Sequence, residues 1–295
     1  MSENRLGQVY AIIAFLFWGL TPIYYKQISS VEPFEILAHR VMWSVVVLLI
    51  LLQVTKQFSY LKEVFKNLKT MKYLFFASIL ISINWLTFIW AITNNKIVEA
   101  SLGYFINPLV NVALGYLFFD ERMSKYQNIA IGIAFCAVIY EFVTLGTIPL
   151  ISLTLAFSFG IYGLIRKKVK ISSIPGLFVE TIILVPFALA YIIYLIDVNQ
   201  SAFVLHDSYI KGLLCFAGII TVLPLLWFNS AATRMKLTTL GFFQYIGPTV
   251  SFLLGVFIYN EEMNINKLVS FMFIWLALVI FSFDSLKKRK NRKKV

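Results

Sequence analysis

Ten apolar runs, each near the ~20 residues that cross a bilayer as a helix, occupy most of this chain. They fall at about 8–27, 35–55, 73–93, 101–119 and 127–144, and again at about 148–166, 175–196, 210–230, 239–259 and 267–284. The runs are apolar all round rather than alternating, so they predict helices and exclude membrane strands. The rest of the composition agrees. Sixty per cent of residues are hydrophobic, mean hydropathy is +0.81, and only 14% are charged, against the usual quarter in soluble domains. An all-α integral membrane protein with ten transmembrane helices is the expected fold class. The first run does not read as a cleaved leader, because Trp18, Thr21 and Pro22 interrupt it and no small-residue cleavage site ends it.

Lysine and arginine set the direction. Lys26, Lys96, Lys211 and Lys267 fall on one side of the ten runs and Arg40 lies within a run; the other 21 of the 26 basic residues fall on the opposite side, with both termini. Basic loops stay in the cytoplasm, so both termini are expected there, in the plasma (inner) membrane. The same rule explains the net charge of +12 and the tail "KKRKNRKK" as topological signals resting against an acidic leaflet, not as a nucleic-acid site. Cys136 and Cys215 lie inside apolar runs without metal spacing and read as packed thiols. No cofactor and no metal are expected. The expected partners are lipid and a small-molecule solute, with homodimerisation left open.

The chain also repeats itself. "SLGYFINPLVNVALGYLFFDERM", from Ser101, returns 140 residues later as "GFFQYIGPTVSFLLGVFIYNEEM", from Gly241. Between 74 and 123 this shift aligns without gaps and gives 16 identities in 50 positions, among them Pro108/Pro248, Gly115/Gly255 and Glu121/Glu261. A second stretch aligns at a shift of 142, "AFLF" from Ala14 with "AFSF" from Ala156, and Pro33 with Pro175. Runs 1–5 therefore repeat as runs 6–10. Five is odd, so the two copies would cross the membrane in opposite directions, the inverted-repeat plan of many secondary transporters. The boundaries expected are 1–145 for the first repeat, 146–285 for the second, and 286–295 for the basic cytoplasmic tail.

"FWGLTPIYYK", "EILAHR", "NWLTFIWA", "EASLGYFINPLVN", "AFSFGIYGLIRKK", "TLGFFQYIGPT" and "FIWLALVIF", taken in order along nearly the whole chain, resemble the RarD-type permeases. These form part of the EamA family in the drug/metabolite transporter superfamily. The resemblance implies ten helices, two five-helix EamA repeats and a permease with a central cavity. EamA repeats often carry Gly-Glu after the fourth helix of each half. Here the pairs are Asp120-Glu121 and Asn260-Glu261, so the glutamate is kept and the glycine is not.

Helical spacing places Tyr104, Asn107, Pro108, Asn111 and Gly115 on one stripe of the fourth run, with repeat partners Gln244, Gly247, Pro248, Ser251 and Gly255 on the ninth. Polar groups in hydrocarbon face the bundle or a cavity, and each proline frees a backbone carbonyl and loosens its helix. These stripes are the main candidates for solute contact, beside Tyr245, with Pro108 and Pro248 as hinges. Small-residue helix packing is the plainer alternative. Asn107 lies about 9 Å from the start of its helix at 1.5 Å per residue, and Gln244 is similarly placed from the opposite face. Two half-depth polar sites across a cavity are therefore expected. Trp18, Asn84, Trp85, Tyr162, Trp227 and Asn229 would close the walls. Aromatic rings beside amides suit an amphipathic organic solute.

Three ionisable residues lie well inside runs: His39, Arg40 and Glu180. Structural ion pairs are the favoured reading, with Arg40 snorkelling toward Glu32, Glu35 or Glu99 and Glu180 meeting the basic cluster 166–170. Proton coupling through Glu180 or His39 is the sharper alternative. The function expected is a secondary transporter moving a small organic metabolite or drug-like solute by alternating access. A non-transporting accessory subunit stands beside it, and further off a channel or membrane enzyme. Asp120, Asp197, Asp207 and Asp284 all sit at run ends or in loops, and GxSxG, HExxH and Walker A patterns are absent, so no catalytic residue is named.

Overall fold

The computed structural model describes residues 3–93, 97–145, 150–258 and 265–292. They form helices α1 (Glu3–Gln27), α2 (Pro33–Val54), α3 (Phe58–Lys66), α4 (Leu68–Thr93), α5 (Ile97–Phe119), α6 (Lys125–Leu145) and α7 (Leu150–Val169). They continue as α8 (Ser173–Asp197), α9 (Ala202–Leu205), α10 (Ser208–Arg234), α11 (Leu237–Phe243), α12 (Ile246–Phe257) and α13 (Ile265–Arg292). No strand occurs among the described residues. Among the described residues, seven helices are long and apolar enough to cross a membrane: α1, α2, α4, α6, α7, α8 and α10. Gly103–Phe119 of α5 and Leu268–Phe281 of α13 are shorter apolar stretches. Ile50, Phe76, Phe187 and Val279 stand more than half exposed on outer helix faces. That is tolerable against lipid and costly against water.

Helix starts follow local chemistry. Pro33 opens α2, where its missing N–H costs nothing, and the Glu32 side chain accepts from the Glu35 backbone N–H at 3.1 Å. Asp207 caps α10 by accepting from Ile210 N–H at 3.0 Å. The lysine-rich stretch after α2 folds into α3, a short amphipathic helix that buries Leu61 and Val64 while Lys62 and Lys66 stay exposed.

The ninth apolar run is not one helix. Its hydrogen-bond ladder is interrupted at Gln244–Tyr245, between α11 and α12. Pro248 has no N–H to offer the Gln244 carbonyl. Gly247 N–H bonds that carbonyl instead at 3.3 Å, and Tyr245 N–H bonds Phe242 O at 3.3 Å. Both are three-residue bonds, so the chain tightens there while φ and ψ remain right-handed. Pro108, the repeat partner, lies inside the continuous helix α5.

The larger helix contacts pair up under exchange of the two halves, while α7–α10 and α5–α6 have no counterpart of similar extent among the described residues. α1 on α10 mirrors α7 on α4, α2 on α10 mirrors α8 on α4, and α1 on α12 mirrors α7 on α5. The pairs α2–α8, α5–α11 and α6–α13 map onto themselves. The mirrored pairs are unequal: α2–α10 is more extensive than α8–α4, and α7–α5 more than α1–α12. Helices α6 and α13 form a separate core with Phe105, Phe242 and Tyr245, where the Phe242 and Phe281 rings stack at 3.7 Å.

The mirror also corrects the register between α1 and α7. A side chain at Gly19 would lie 2.6 Å from Val250 Cβ, and one at Gly160 would lie 2.6 Å from Val110 Cγ1. Val110 and Val250 are partners at a shift of 140, so Gly19 and Gly160 are equivalent at 141, not 142. By these contacts the pairing stands one residue from that of the "AFLF"/"AFSF" match. The glycines decide the register because only they let the helices touch there.

Candidate functional site

The polar stripes of α5 and α11 meet directly. Asn111 Nδ2 donates to Asn107 Oδ1 at 3.1 Å and also to Gln244 Oε1. Gly241 makes the close crossing possible, since a side chain there would lie 2.9 Å from the Pro108 carbonyl oxygen. Asn107, Asn111 and Gln244 are all buried. The expectation of two half-depth sites facing across a cavity is therefore corrected: the three amides form one closed cluster. The reason is depth, because Asn111 lies one turn further along α5 than Asn107 and there reaches Gln244 from the opposite half. Among the described residues Asn111 Oδ1 has no hydrogen-bond partner. Replacing Gln244 with alanine should strand an Asn111 donor as well, lowering stability by about 1–3 kcal/mol, readable as an earlier thermal transition of purified protein.

A second network runs along α7, which presents Ser158, Tyr162 and Arg166 at successive turns of one buried face. Asn84 Nδ2 donates to Ser158 Oγ at 3.0 Å and to Leu155 O at 2.9 Å. Tyr162 donates to Glu180 Oε2 at 3.2 Å and accepts from Asn229 Nδ2 at 3.0 Å. Arg166 Nη1 pairs with Glu180 Oε1 at 3.0 Å, each side chain about 1% exposed. Trp18 packs against Phe15, Phe159 and Phe228, and Trp227 meets Phe17 edge-on. Tyr245 reaches the Phe105 carbonyl at 3.3 Å, and Ser251 the Gly19 carbonyl at 3.1 Å. Trp18, Asn84, Tyr162, Trp227, Asn229, Tyr245 and Ser251 are thus engaged by protein partners, whereas Trp85 lies against Arg40 and Tyr104 stands 37% exposed beside Phe88.

The other charged residues sort differently from the sequence reading. Glu32 is engaged by Tyr191 and by its own helix start. Glu35 accepts from Ser201 Oγ, Ala202 N and Phe203 N, with His39 Nε2 at 3.8 Å and its ring stacked on Phe203. His39 therefore belongs to the loop that closes over α2. Arg40 does not snorkel toward either glutamate, because both are already occupied. Its Nε donates to Thr221 Oγ1 at 2.9 Å and its guanidinium lies 4.6 Å from the Trp85 ring. Glu99 lies outside the described side chains.

Arg166 is the member of the basic cluster 166–170 that meets Glu180, and its spacing from Ser158 and Tyr162 places it on the same face of α7. Glu121, one of the repeat identities, receives Lys167 Nζ at 2.7 Å and Leu237 N at 3.0 Å, joining the end of α7 to the start of α11.

Two segments, residues 5–142 and 147–283, each match the EamA-like transporter family. The chain belongs to that family. Among EamA relatives, Protein RarD of Escherichia coli (strain K12) is 44% identical over 293 residues, covering 99% of each chain. An uncharacterized transporter of Vibrio cholerae serotype O1 is 45% identical over 286 residues, covering 97% of this chain and 95% of that one. A solved crystal structure superposes with a TM-score of 0.69 at 14% identity, over 93% of this chain and 96% of that chain; this likeness speaks for the fold alone. EamA membership and the apolar helices make this a multi-pass membrane protein of a transporter family.

Proposed function

We propose that the protein is a secondary transporter carrying a small organic solute across the plasma membrane by alternating access. Helices α1, α2, α4, α5 and α6 form the first inverted repeat, residues 1–145. Helices α7, α8, α10, α11 with α12, and α13 form the second, residues 146–285, followed by the cytoplasmic tail 286–295. Ten crossings result, with α11 and α12 sharing one. The observation that carries the reading is a helix packing whose larger contacts are symmetric in plan and unequal in extent. Two copies that could exchange roles, caught with one arrangement adopted, would look this way. The amide cluster and the Tyr162–Glu180 network are shut because the solute path is closed between them. A transported solute would replace those mutual hydrogen bonds with its own.

Counterflow of solute in proteoliposomes tests the reading. Saturable counterflow supports a carrier; conductance identifies a channel; neither leaves an accessory subunit. Single cysteines at Asn107, Asn111, Gln244 and Ser251, in a chain lacking Cys136 and Cys215, should react with a water-soluble maleimide during turnover and be protected by solute. Inaccessibility from both faces with transport intact would reduce these residues to packing. Reporter fusions should place the tail inside and Asn199 outside; the same side for both would overturn the crossing count.

A further inference from the structure

Arg40 stands apart from the other buried charges. Glu180 has Arg166, Glu121 has Lys167, and Glu35 has three donors from the 201–203 segment. Arg40 is only 6% exposed, yet among the described residues no carboxylate pairs with it. Thr221 Oγ1, which itself donates to Ala217 O at 2.7 Å, accepts from Arg40 Nε and fixes the guanidinium's rotation. Trp85 lies 4.6 Å from the guanidinium carbon and Tyr25 5.9 Å. Hydrogen bonding among the described residues leaves the Nη edge unused.

The rings around this cation form a continuous wall. Tyr25 meets Phe88 at 6.0 Å, and Phe88 meets Tyr104 at 5.6 Å. Exposure rises along it, from 8% at Trp85 to 37% at Tyr104. Arg40, Trp85 and Tyr104 lie about two turns from the helix ends where α1 meets α2 and α4 meets α5, Phe88 lies between one and two turns from them, and Tyr25 lies in the last turn of α1. An aromatic slope thus leads from accessible surface to a buried cation. Contact with aromatic faces offsets part of the cost of a charge at this depth, but an intramembrane charge ordinarily has a partner. A planar guanidinium with one edge held and the other unused matches the two oxygens of a carboxylate.

We infer that Arg40, set between Trp85 and Thr221, recognises the carboxylate of an aromatic or similarly flat apolar solute, whose body lies along Tyr25, Phe88 and Tyr104. The solute's anion supplies the counter-charge that the described protein lacks. This rests on the transporter reading and narrows its solute class to organic monocarboxylates.

The test is equilibrium binding to the full chain in nanodiscs, with 1-naphthylacetate, 1-naphthylacetamide and 1-naphthylmethylamine as probes of one shape and three charges. The acetate should bind about tenfold or more tighter than the amide, the scale of a charge-assisted hydrogen bond, and the amine more weakly than either. Arg40→Gln should bring the acetate-to-amide ratio to about one, and Arg5→Gln should leave it unchanged. Where Arg40→Gln gives no monodisperse protein, Arg40→Lys carries the test and should lower the ratio several-fold, because an ammonium lacks the fork. Equal binding of acetate and amide, a ratio indifferent to both Arg40 variants, or no binding of any probe would each overturn the inference. Counterflow is measured separately. Flux without carboxylate preference sinks this inference alone, and charge-selective binding without flux sinks the transport reading alone.

Discussion

Glu180→Ala is expected to lower stability by about 3–5 kcal/mol, the cost of stranding one member of a buried ion pair. Arg166 is 2% exposed, and its Nε and Nη2 already lack partners among the described residues. Glu180 holds Nη1 and, through Tyr162, anchors Asn229 of α10. Removing the carboxylate leaves a cation in an apolar interior and releases the hydroxyl that links two helices. Thermal unfolding of purified protein should show the loss. Glu180→Ala with Arg166→Leu should recover most of it, since well-packed apolar residues replace such pairs at little cost. Gly176→Ala probes the same place from the other side, because a side chain there would collide with the guanidinium. An unshifted transition for Glu180→Ala would mean that the pair contributes nothing.

Leucine at either mirrored glycine should cut counterflow about tenfold or more, through overpacking of about 1–3 kcal/mol at a crossing that must reseat in each cycle. The two sites should differ in rescue. Gly160 faces the Val110 side chain, so Val110→Ala should restore much of the activity of Gly160→Ala. Gly19 faces Val250 but also the Gly247 carbonyl at 2.9 Å. Backbone cannot be trimmed, so Val250→Ala should not restore Gly19→Ala. Equal rescue at both sites would count against the geometry at Gly19.

Much of this architecture was legible in the sequence, because membrane helices announce themselves by length and apolarity and because duplication leaves Pro108/Pro248 and Glu121/Glu261 in register. What escaped was relative placement. A shift of 141 rather than 142 between α1 and α7 depends on which face of Gly19 touches a neighbour, and periodicity does not state that. The interruption at Gln244 was hidden for a related reason: Pro108 and Pro248 are the same residue in copies of one segment, yet one sits in a continuous helix and the other follows a tightened turn. Asn107, Asn111 and Gln244 stood out as candidates for solute contact on the polar stripes of two helices. That they would satisfy one another was not visible, since it requires knowing which turns cross. For Arg40, Glu32 and Glu35 look available until Tyr191 and the 201–203 segment are seen to occupy them.

Two identical inverted halves would give a molecule whose inward- and outward-open forms are related by a two-fold rotation in the membrane plane and equal in free energy apart from the membrane's own asymmetry. In the proposed transport cycle this chain lacks that degeneracy. Its first half carries Pro108 inside a continuous rod, and its second half carries Pro248 just after the joint of a jointed one. Closing one end of the bundle therefore bends a different object from closing the other. The resting population then follows from the difference in bending cost, and each 1.4 kcal/mol of that difference is about tenfold in occupancy. In the proposed cycle, divergence between the copies thus sets the default orientation of the empty protein before any solute or ion gradient acts on it.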